Sequence, residues 1–221
     1  MTLPSYPSYM DFDRFIDVAR LVALDGFITE RLGRRMHATA DRAFHTGPFL
    51  LDPEAPNLPG ARMIELSRSR LAEDYYDLDR TELWAPSEDA AEFAPLMEFI
   101  ATLPFAATGR MLIMYDPSGR AVSAHKDHDS AELCHEFIWL RTNRSKPFFM
   151  LNPETGERAY VTGHSAWFDT VNQFHGADAS GAPSFSIRVD GVFDDAFRAR
   201  IPFPSENRAA TPSIWADRGP A

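Results

Sequence analysis

The feature that most constrains the fold of this chain is a change in residue pattern at Gly109. From there to residue 193, the sequence consists of short β-branched and aromatic runs separated by residues that favour turns. The breaks at 116–119, 152–156 and 180–183 combine Pro and Gly with polar residues, which stabilises tight turns. The runs predict eight short antiparallel strands, at 110–115, 120–126, 133–142, 147–151, 157–162, 165–171, 173–178 and 184–193.

The stretch before these runs has a different pattern, in which apolar residues recur at helical spacing. It predicts helices at 11–24, with Asp11 as the N-cap, at 28–43, and at 87–102. Helices followed by a series of strands indicate an α+β fold with a mainly β C-terminal half. We therefore expect packed N-terminal helices on a double-stranded β-helix, the jelly roll of cupin-like proteins.

Length and composition agree with one folded unit. A chain of 221 residues, 44% of them hydrophobic, can enclose its own core. We expect a single domain over 1–221, in which 1–108 is a mostly helical support. The jelly-roll core then covers 109–193, and a proline-rich irregular tail covers 194–221.

Charge and apolar patterning exclude several classes of partner. The chain has 22 basic against 32 acidic residues, with no long run of like charge, so nucleic acid and anionic membranes are poor partners. No apolar run approaches the roughly 20 residues that cross a bilayer, and Met1–Met10 lacks the pattern of a signal peptide. Cys134 is the only cysteine, which fits a reducing compartment. We expect a cytoplasmic protein; its oligomeric state is left open.

A candidate metal site is formed by three residues that are distant in sequence. His125 and Asp127 are two residues apart in a predicted strand, so their side chains share one face. His175 lies in a later predicted strand. Two imidazoles and one carboxylate can hold Fe(II) and leave positions open for O₂ and a bidentate 2-oxo acid. Arg188, in the last strand, offers a permanently charged partner for a second carboxylate of such a ligand.

Other interpretations of the same residues stay open. His125 and Asp127 would also fit a surface hairpin, and His175 a turn before Gly176. The same ligands could hold Zn²⁺ or Mn²⁺ in a cupin-like hydrolase or isomerase, or in a small-molecule binding protein without oxygen chemistry. An inactive interaction module would leave the triad without a purpose. Arg188 discriminates among these, because only the oxygenase interpretation assigns it a 2-oxo acid.

Further residues accompany the triad in a fixed order along the chain. They are the stretch 110–119 before His125-x-Asp127, then 140–143, 163–170, His175 and Arg188-Val-Asp190. In this combination, the segment from 109 to 191 resembles the aspartyl/asparaginyl β-hydroxylase-like branch of the 2-oxoglutarate oxygenases, a cupin-fold family that includes proline hydroxylases.

The resemblance implies cofactors and roles. Fe(II) would be bound by His125, Asp127 and His175, and 2-oxoglutarate would be the co-substrate, with its distal carboxylate at Arg188. The implied reaction uses O₂ to hydroxylate an unactivated C–H bond and releases succinate and CO₂. Where relatives have an Arg-x-His pair that reaches 2-oxoglutarate, this chain has His135-Glu-Phe, so His135 is a candidate partner and Arg141 another.

The resemblance also suggests a substrate class. It favours an amino acid or a peptidyl Asp or Asn, and a similar small carboxylate remains an alternative. The basic residues that could meet a substrate carboxylate are Arg110, Lys126, Arg141, Arg144 and Lys146.

Overall fold

The structure is a computed structural model that describes residues 9–35, 42–43, 49–50, 61–70, 80–127, 136–170 and 173–201. Within these ranges, the first six strands are β1 Met10–Asp11, β2 Arg42–Ala43, β3 Phe49–Leu50, β4 Arg62–Glu65, β5 Ser67–Ser69 and β6 Trp84–Pro86. The later strands are β7 Phe105–Asp116, β8 Val122–Lys126, β9 Glu136–Leu140, β10 Phe148–Leu151, β11 Arg158–Tyr160, β12 Ser165–Trp167, β13 Phe174–Ala177 and β14 Ser184–Phe193. The α-helices are α1 Val18–Ala23, α2 Asp25–Arg35, α3 Ala94–Ile100 and α4 Asp195–Arg198.

The strands form two main antiparallel sheets. The first has the order β1-β12-β9-β14-β7-β4-β2, and the second has the order β11-β10-β13-β8-β3. From β7 to β14, the chain passes repeatedly from one sheet to the other, and only the β10–β11 hairpin stays in one sheet. This connectivity is that of a jelly roll. The predicted fold class, a jelly roll with packed helices, is confirmed.

Each of the eight predicted strands corresponds to one strand from β7 to β14. The agreement arises because β-branched and aromatic runs bounded by turn residues are local signals. The main differences are at the ends, where β7 begins earlier, at Phe105, and β12 ends at Trp167. Positions 133–135 of the third predicted strand lie outside the described residues.

The helix predictions were less accurate. The first predicted helix is a 3₁₀ turn at Asp13–Phe15 followed by α1, and the N-cap is Asp17 rather than Asp11. The carboxylate of Asp17 accepts a hydrogen bond from the backbone N–H of Arg20 at 2.9 Å. The third predicted helix is a 3₁₀ segment, Glu88–Phe93, that continues into α3.

The second predicted helix was wrong at its C-terminal end. The α2 helix covers Asp25–Arg35, whereas positions 42–43 form β2. Strands β1 to β6 all lie in the region expected to be mostly helical. These strands have two to four residues each and pair in part with β7, β8 and β12, so their stability comes from tertiary contacts rather than from a local pattern.

The core joins the helices to the first sheet. Buried Leu21, Ile28 and Phe99 from the helices belong to one hydrophobic cluster with Ile187 and Val189 of β14. Because strand side chains alternate between faces, Arg188 and Asp190 lie on the opposite face of β14. The same alternation thus separates the packing face of β14 from a polar face inside the jelly roll. None of the described helices has the length and apolar character that crossing a bilayer requires.

Candidate metal centre

Two imidazoles face each other on adjacent strands of the second sheet. Strands β8 and β13 are antiparallel, and their register places His175 opposite His125. The ring centroids are 4.5 Å apart, and both side chains are buried. Sheet pairing therefore brings together two histidines that the sequence separates widely.

Asp127 completes the cluster. It follows the last residue of β8, and its backbone N–H donates to the carbonyl of Thr170 at 2.9 Å. Its Oδ1 lies 3.3 Å from Nε2 of His175 and 3.9 Å from Nε2 of His125. One ligand atom from each of the three residues lies within 4.8 Å of the other two. The predicted triad is therefore brought together with its donor atoms converging.

The hydrogen bonds of the imidazoles define their tautomers. Nδ1 of His125 lies 2.8 Å from the carbonyl oxygen of Ser123, and Nδ1 of His175 lies 3.3 Å from that of Gln173. A carbonyl oxygen only accepts, so each Nδ1 is the donor, and a neutral ring then has its lone pair on Nε2. Hydrogen bonds of this kind orient metal-binding histidines. Nε2 of each ring faces Asp127.

The electrostatic environment favours the protonation states that bind metal. Burial, together with His175, lowers the pKa of His125 to about 4. Burial alone would raise the pKa of Asp127, but His175, Arg188 and His125 outweigh it and hold that pKa well below its ordinary value. At neutral pH, His125 is therefore neutral and Asp127 is ionised. These are the forms that a metal ion requires.

Arg188 lies at the same centre. Its Nη1 donates to Oδ2 of Asp127 at 3.0 Å, and its Nε donates to Oδ1 of Asp190 at 2.8 Å. The guanidinium lies over the ring of Phe137, 4.1 Å from the centroid. The sequence predicted Arg188 as the partner of a co-substrate carboxylate, and in the structure its guanidinium also contacts Asp127 directly. Among the described residues, its Nη2 has no hydrogen-bond partner.

Asp190 was missed as a functional candidate. Its side chain is fully buried, and its Oδ2 accepts a hydrogen bond from Nε of Arg110 at 3.0 Å. The residues Arg110, Asp190, Arg188 and Asp127 thus form a continuous ionic chain that ends at the triad. The signal that could have identified Asp190 is its spacing of two residues from Arg188 in a strand, which puts both on one face.

An aromatic wall borders His175. The rings of Phe148 and Phe168 lie 5.9 and 5.2 Å from its imidazole, and Trp139 stacks on Phe148 at 4.7 Å. Because Trp139 belongs to β9 and Phe148 to β10, this stack also joins the two sheets. The centre is more open near Asp127, whose side chain is 27% exposed.

Gln173 has an unusual environment. It is 1% exposed, and neither its Oε1 nor its Nε2 has a hydrogen-bond partner. Among the described residues, these two atoms are the buried side-chain nitrogen and oxygen that lack a hydrogen-bond partner. No sequence pattern indicates such a group, because the lack of partners depends on the tertiary surroundings.

The two candidates for a second co-substrate partner have different outcomes. His135 lies outside the described residues. Arg141 is buried, and its guanidinium donates to the backbone carbonyls of Gly163 at 2.8 Å, Lys146 at 3.2 Å and Val161 at 2.6 Å. Three of the five N–H donors of Arg141 therefore hold these loops together, and its role as a partner of 2-oxoglutarate stays a prediction.

The remaining basic candidates for a substrate carboxylate also have partners. Lys146 pairs with Asp116, and Arg144 donates to the carbonyl of Thr162. Lys126 lies over the ring of Phe174, 5.0 Å from its centroid. Arg110 is the one of this group that the structure connects to the triad, through Asp190.

Comparisons with known proteins give structural similarity only. No family model and no curated protein matches the sequence. A prolyl-4-hydroxylase from Pseudomonas putida is 12% identical, with 83% of this chain and 91% of that chain covered and a TM-score of 0.45. A prolyl hydroxylase from Trichoplax adhaerens, in complex with a hypoxia-inducible factor peptide, is 11% identical, with 90% and 88% covered and a TM-score of 0.46.

A 2OG-Fe(II) oxygenase-family oxidoreductase from Burkholderia pseudomallei is 10% identical, with 79% of this chain and 89% of that chain covered and a TM-score of 0.42. Similarities of this size do not decide the family or the substrate of this chain.

Proposed function

We propose that this chain is a non-haem, Fe(II)- and 2-oxoglutarate-dependent dioxygenase. The proposed reaction hydroxylates an unactivated C–H bond of an amino acid, a peptidyl Asp or Asn, or a similar small carboxylate, with release of succinate and CO₂. The observation that carries the proposal is the convergence of Nε2 of His125, Nε2 of His175 and Oδ1 of Asp127.

The donor set fits the proposed metal. Two imidazole nitrogens and one carboxylate oxygen are the ligands typical of Fe(II) oxygenases, which need open positions for O₂ and a co-substrate. His125, Asp127 and His175 would hold the iron, and the bound iron would couple O₂ reduction to oxidation of 2-oxoglutarate. The protein supplies His125 and Asp127 in the required protonation states and orients both imidazoles through backbone carbonyls.

Arg188 is the proposed partner of 2-oxoglutarate. Nε and Nη1 are engaged by Asp190 and Asp127, which leaves the donors of Nη2 for a carboxylate. A buried guanidinium binds such a group by charge-assisted hydrogen bonds. His135 is the proposed second partner, on the strength of its place in the sequence. The aromatic wall of Trp139, Phe148 and Phe168 would exclude water beside His175.

The decisive experiment is anaerobic addition of 2-oxoglutarate to the Fe(II)-loaded protein. The proposal expects a weak visible charge-transfer band that needs both Fe(II) and 2-oxoglutarate. The band should be lost in His125→Ala and Asp127→Ala and kept in the control His164→Ala, since His164 lies outside the triad and hydrogen-bonds the carbonyl of Arg141. A wild-type protein that binds metal but gives no band would instead favour a hydrolase, an isomerase or a binding protein.

The substrate is then found by turnover. Free amino acids and short peptides are screened for succinate formation that depends on the added compound. If the band forms but only uncoupled succinate appears across the whole panel, the proposed substrate class is wrong while the cofactor assignment stands.

A further inference from the structure

We infer that Asp190 is a positioning residue of the metal centre. Asp190 fixes the guanidinium of Arg188 so that Nη1 of Arg188 donates a hydrogen bond to Oδ2 of Asp127. Oδ1 of Asp127 is then the single carboxylate oxygen left to bind the metal. The inference rests on the metal-binding part of the proposed function and is independent of the co-substrate.

Asp190 is held by two cations, one on its own strand and one on the neighbouring strand β7. Its Oδ1 accepts from Nε of Arg188, two residues away on β14, and its Oδ2 accepts from Nε of Arg110 on β7. The side chain has no exposed surface. A buried carboxylate with a charged hydrogen bond on each oxygen cannot turn without losing one of them, so its orientation is fixed.

Asp190 in turn fixes Arg188. An arginine side chain has several rotatable bonds and would otherwise sample many conformations. Here the hydrogen bond from Nε and the contact with the face of Phe137 define the plane of the guanidinium. In that plane, Nη1 lies 3.0 Å from Oδ2 of Asp127. The direction of Nη1 is therefore a consequence of the carboxylate of Asp190.

The two oxygens of Asp127 consequently differ in role. Oδ1 faces the two imidazoles, whereas Oδ2 accepts from Arg188. A carboxylate can bind a metal through one oxygen or two. Because Arg188 donates a hydrogen bond to Oδ2, Asp127 can bind the metal through Oδ1 alone. A further coordination position of the metal is then left for exogenous ligands.

The test uses Co(II) as the probe, without 2-oxoglutarate or O₂. The double variant Arg110→Met/Asp190→Leu removes one buried cation and one buried anion together, so the remaining pair of Arg188 and Asp127 stays balanced. Arg110→Met alone is the matched control, because Asp190 then still holds Arg188. Circular dichroism shows whether the double variant folds. If it does not, the smaller change Asp190→Asn tests the inference instead.

The double variant is expected to bind Co(II) about 10- to 100-fold more weakly, the usual effect of removing an outer partner of a metal ligand. Its visible Co(II) spectrum is also expected to change in intensity, because Asp127 is freed to bind through both oxygens. Asp190→Asn should change both in the same direction, and Arg110→Met should change both less, because Nε of Arg188 still donates to Asp190 in that variant.

A folded double variant or a folded Asp190→Asn protein with the wild-type Co(II) affinity and spectrum would overturn the inference, even if its melting temperature fell. An equal effect of Arg110→Met would also overturn it. Absence of the 2-oxoglutarate band in the wild type would refute the proposed function while leaving this result intact. A wild-type protein that binds no Co(II) would refute both.

Discussion

His125 and His175 occupy opposite positions in neighbouring antiparallel strands, and Nε2 of each lies within 4 Å of the same carboxylate oxygen of Asp127. This relationship depends on the register of β8 and β13. A slip of one residue would turn one imidazole to the other face of the sheet.

Acidification is expected to destabilise the metal-free protein through His125. Its pKa is lowered from 6.5 to about 4 in the folded state, so between these values the unfolded chain binds a proton that the folded chain does not. The free energy of unfolding therefore falls as the pH falls through this window, and His125 accounts for about 3 kcal/mol of the loss. Above pH 6.5 the contribution of His125 is fully present.

Urea denaturation between pH 7 and pH 4 in the presence of a chelator measures this loss. His125→Gln should lose less stability than the wild type over the same range. Identical pH dependence in the two proteins would show that the folded state does not disfavour the charged imidazole.

Removing the amide of Gln173 is expected to stabilise the fold. Two buried polar groups without hydrogen bonds each cost about 1–3 kcal/mol, so the similarly sized Gln173→Met should raise the free energy of unfolding by an amount of that order. Gln173→Glu, which buries a charge in the same place, should lower it. Denaturant titration of both variants provides the measurement, and a Met variant less stable than the wild type would contradict the expectation.

Arg141 and Arg188 are expected to separate stability from co-substrate binding. Arg141→Met leaves three backbone carbonyls without their donor and should cost about 2–4 kcal/mol of stability. It should leave 2-oxoglutarate affinity unchanged. Arg188→Met should weaken that affinity about 10- to 100-fold by removing a charged donor. Calorimetry and denaturation of both variants test this, and weaker 2-oxoglutarate binding in a folded Arg141→Met protein would restore Arg141 as a ligand.

Gly176 is expected to tolerate no side chain. A Cβ there would lie 2.7 Å from the carbonyl oxygen of Val122 and 2.9 Å from Cζ of Phe149. Gly176→Ala should therefore force β13 away from β8, with a loss of about 1–3 kcal/mol and weaker metal binding through His175.

Gly33→Ala serves as the control for Gly176→Ala. Gly33 lies within α2, and a Cβ there would meet no atom within 4 Å. The helix should gain about 0.5–1 kcal/mol from the substitution, without effect on metal binding. Thermal melts and Co(II) titrations compare the two variants, and unchanged metal affinity in Gly176→Ala would show that the strands accommodate the methyl group.

The sequence predicted the strands of the jelly roll better than the elements around it. Runs of β-branched and aromatic residues, such as those in β7 and β14, can be recognised from neighbouring residues alone. The short strands β1, β2 and β3 have two residues each, too few to show any period. They were missed because their pairing partners, rather than their own residues, make them strands.

The candidate site divides in the same way. The residue types and spacing of His125 and Asp127 are local, so they could be identified from the chain alone. The sequence also named Arg188, but its contact with Asp127 and its dependence on Asp190 follow from the pairing of β14 with β7 and β9. The hydrogen bonds of Arg141 to three backbone carbonyls could not be predicted, because the sequence does not show which carbonyls surround a guanidinium.

The sequence by itself determined which side chains could ligate a metal and which segments of the C-terminal half would be strands, because residue chemistry and strand-forming runs are properties of neighbours along the chain. Only the tertiary structure decided that His175 faces His125, that Arg188 holds Asp127, and that the side-chain amide of Gln173 has no hydrogen-bond partner among the described residues. Those facts depend on strand register, which sets the neighbours of each side chain, and on burial, which removes water as an alternative hydrogen-bond partner.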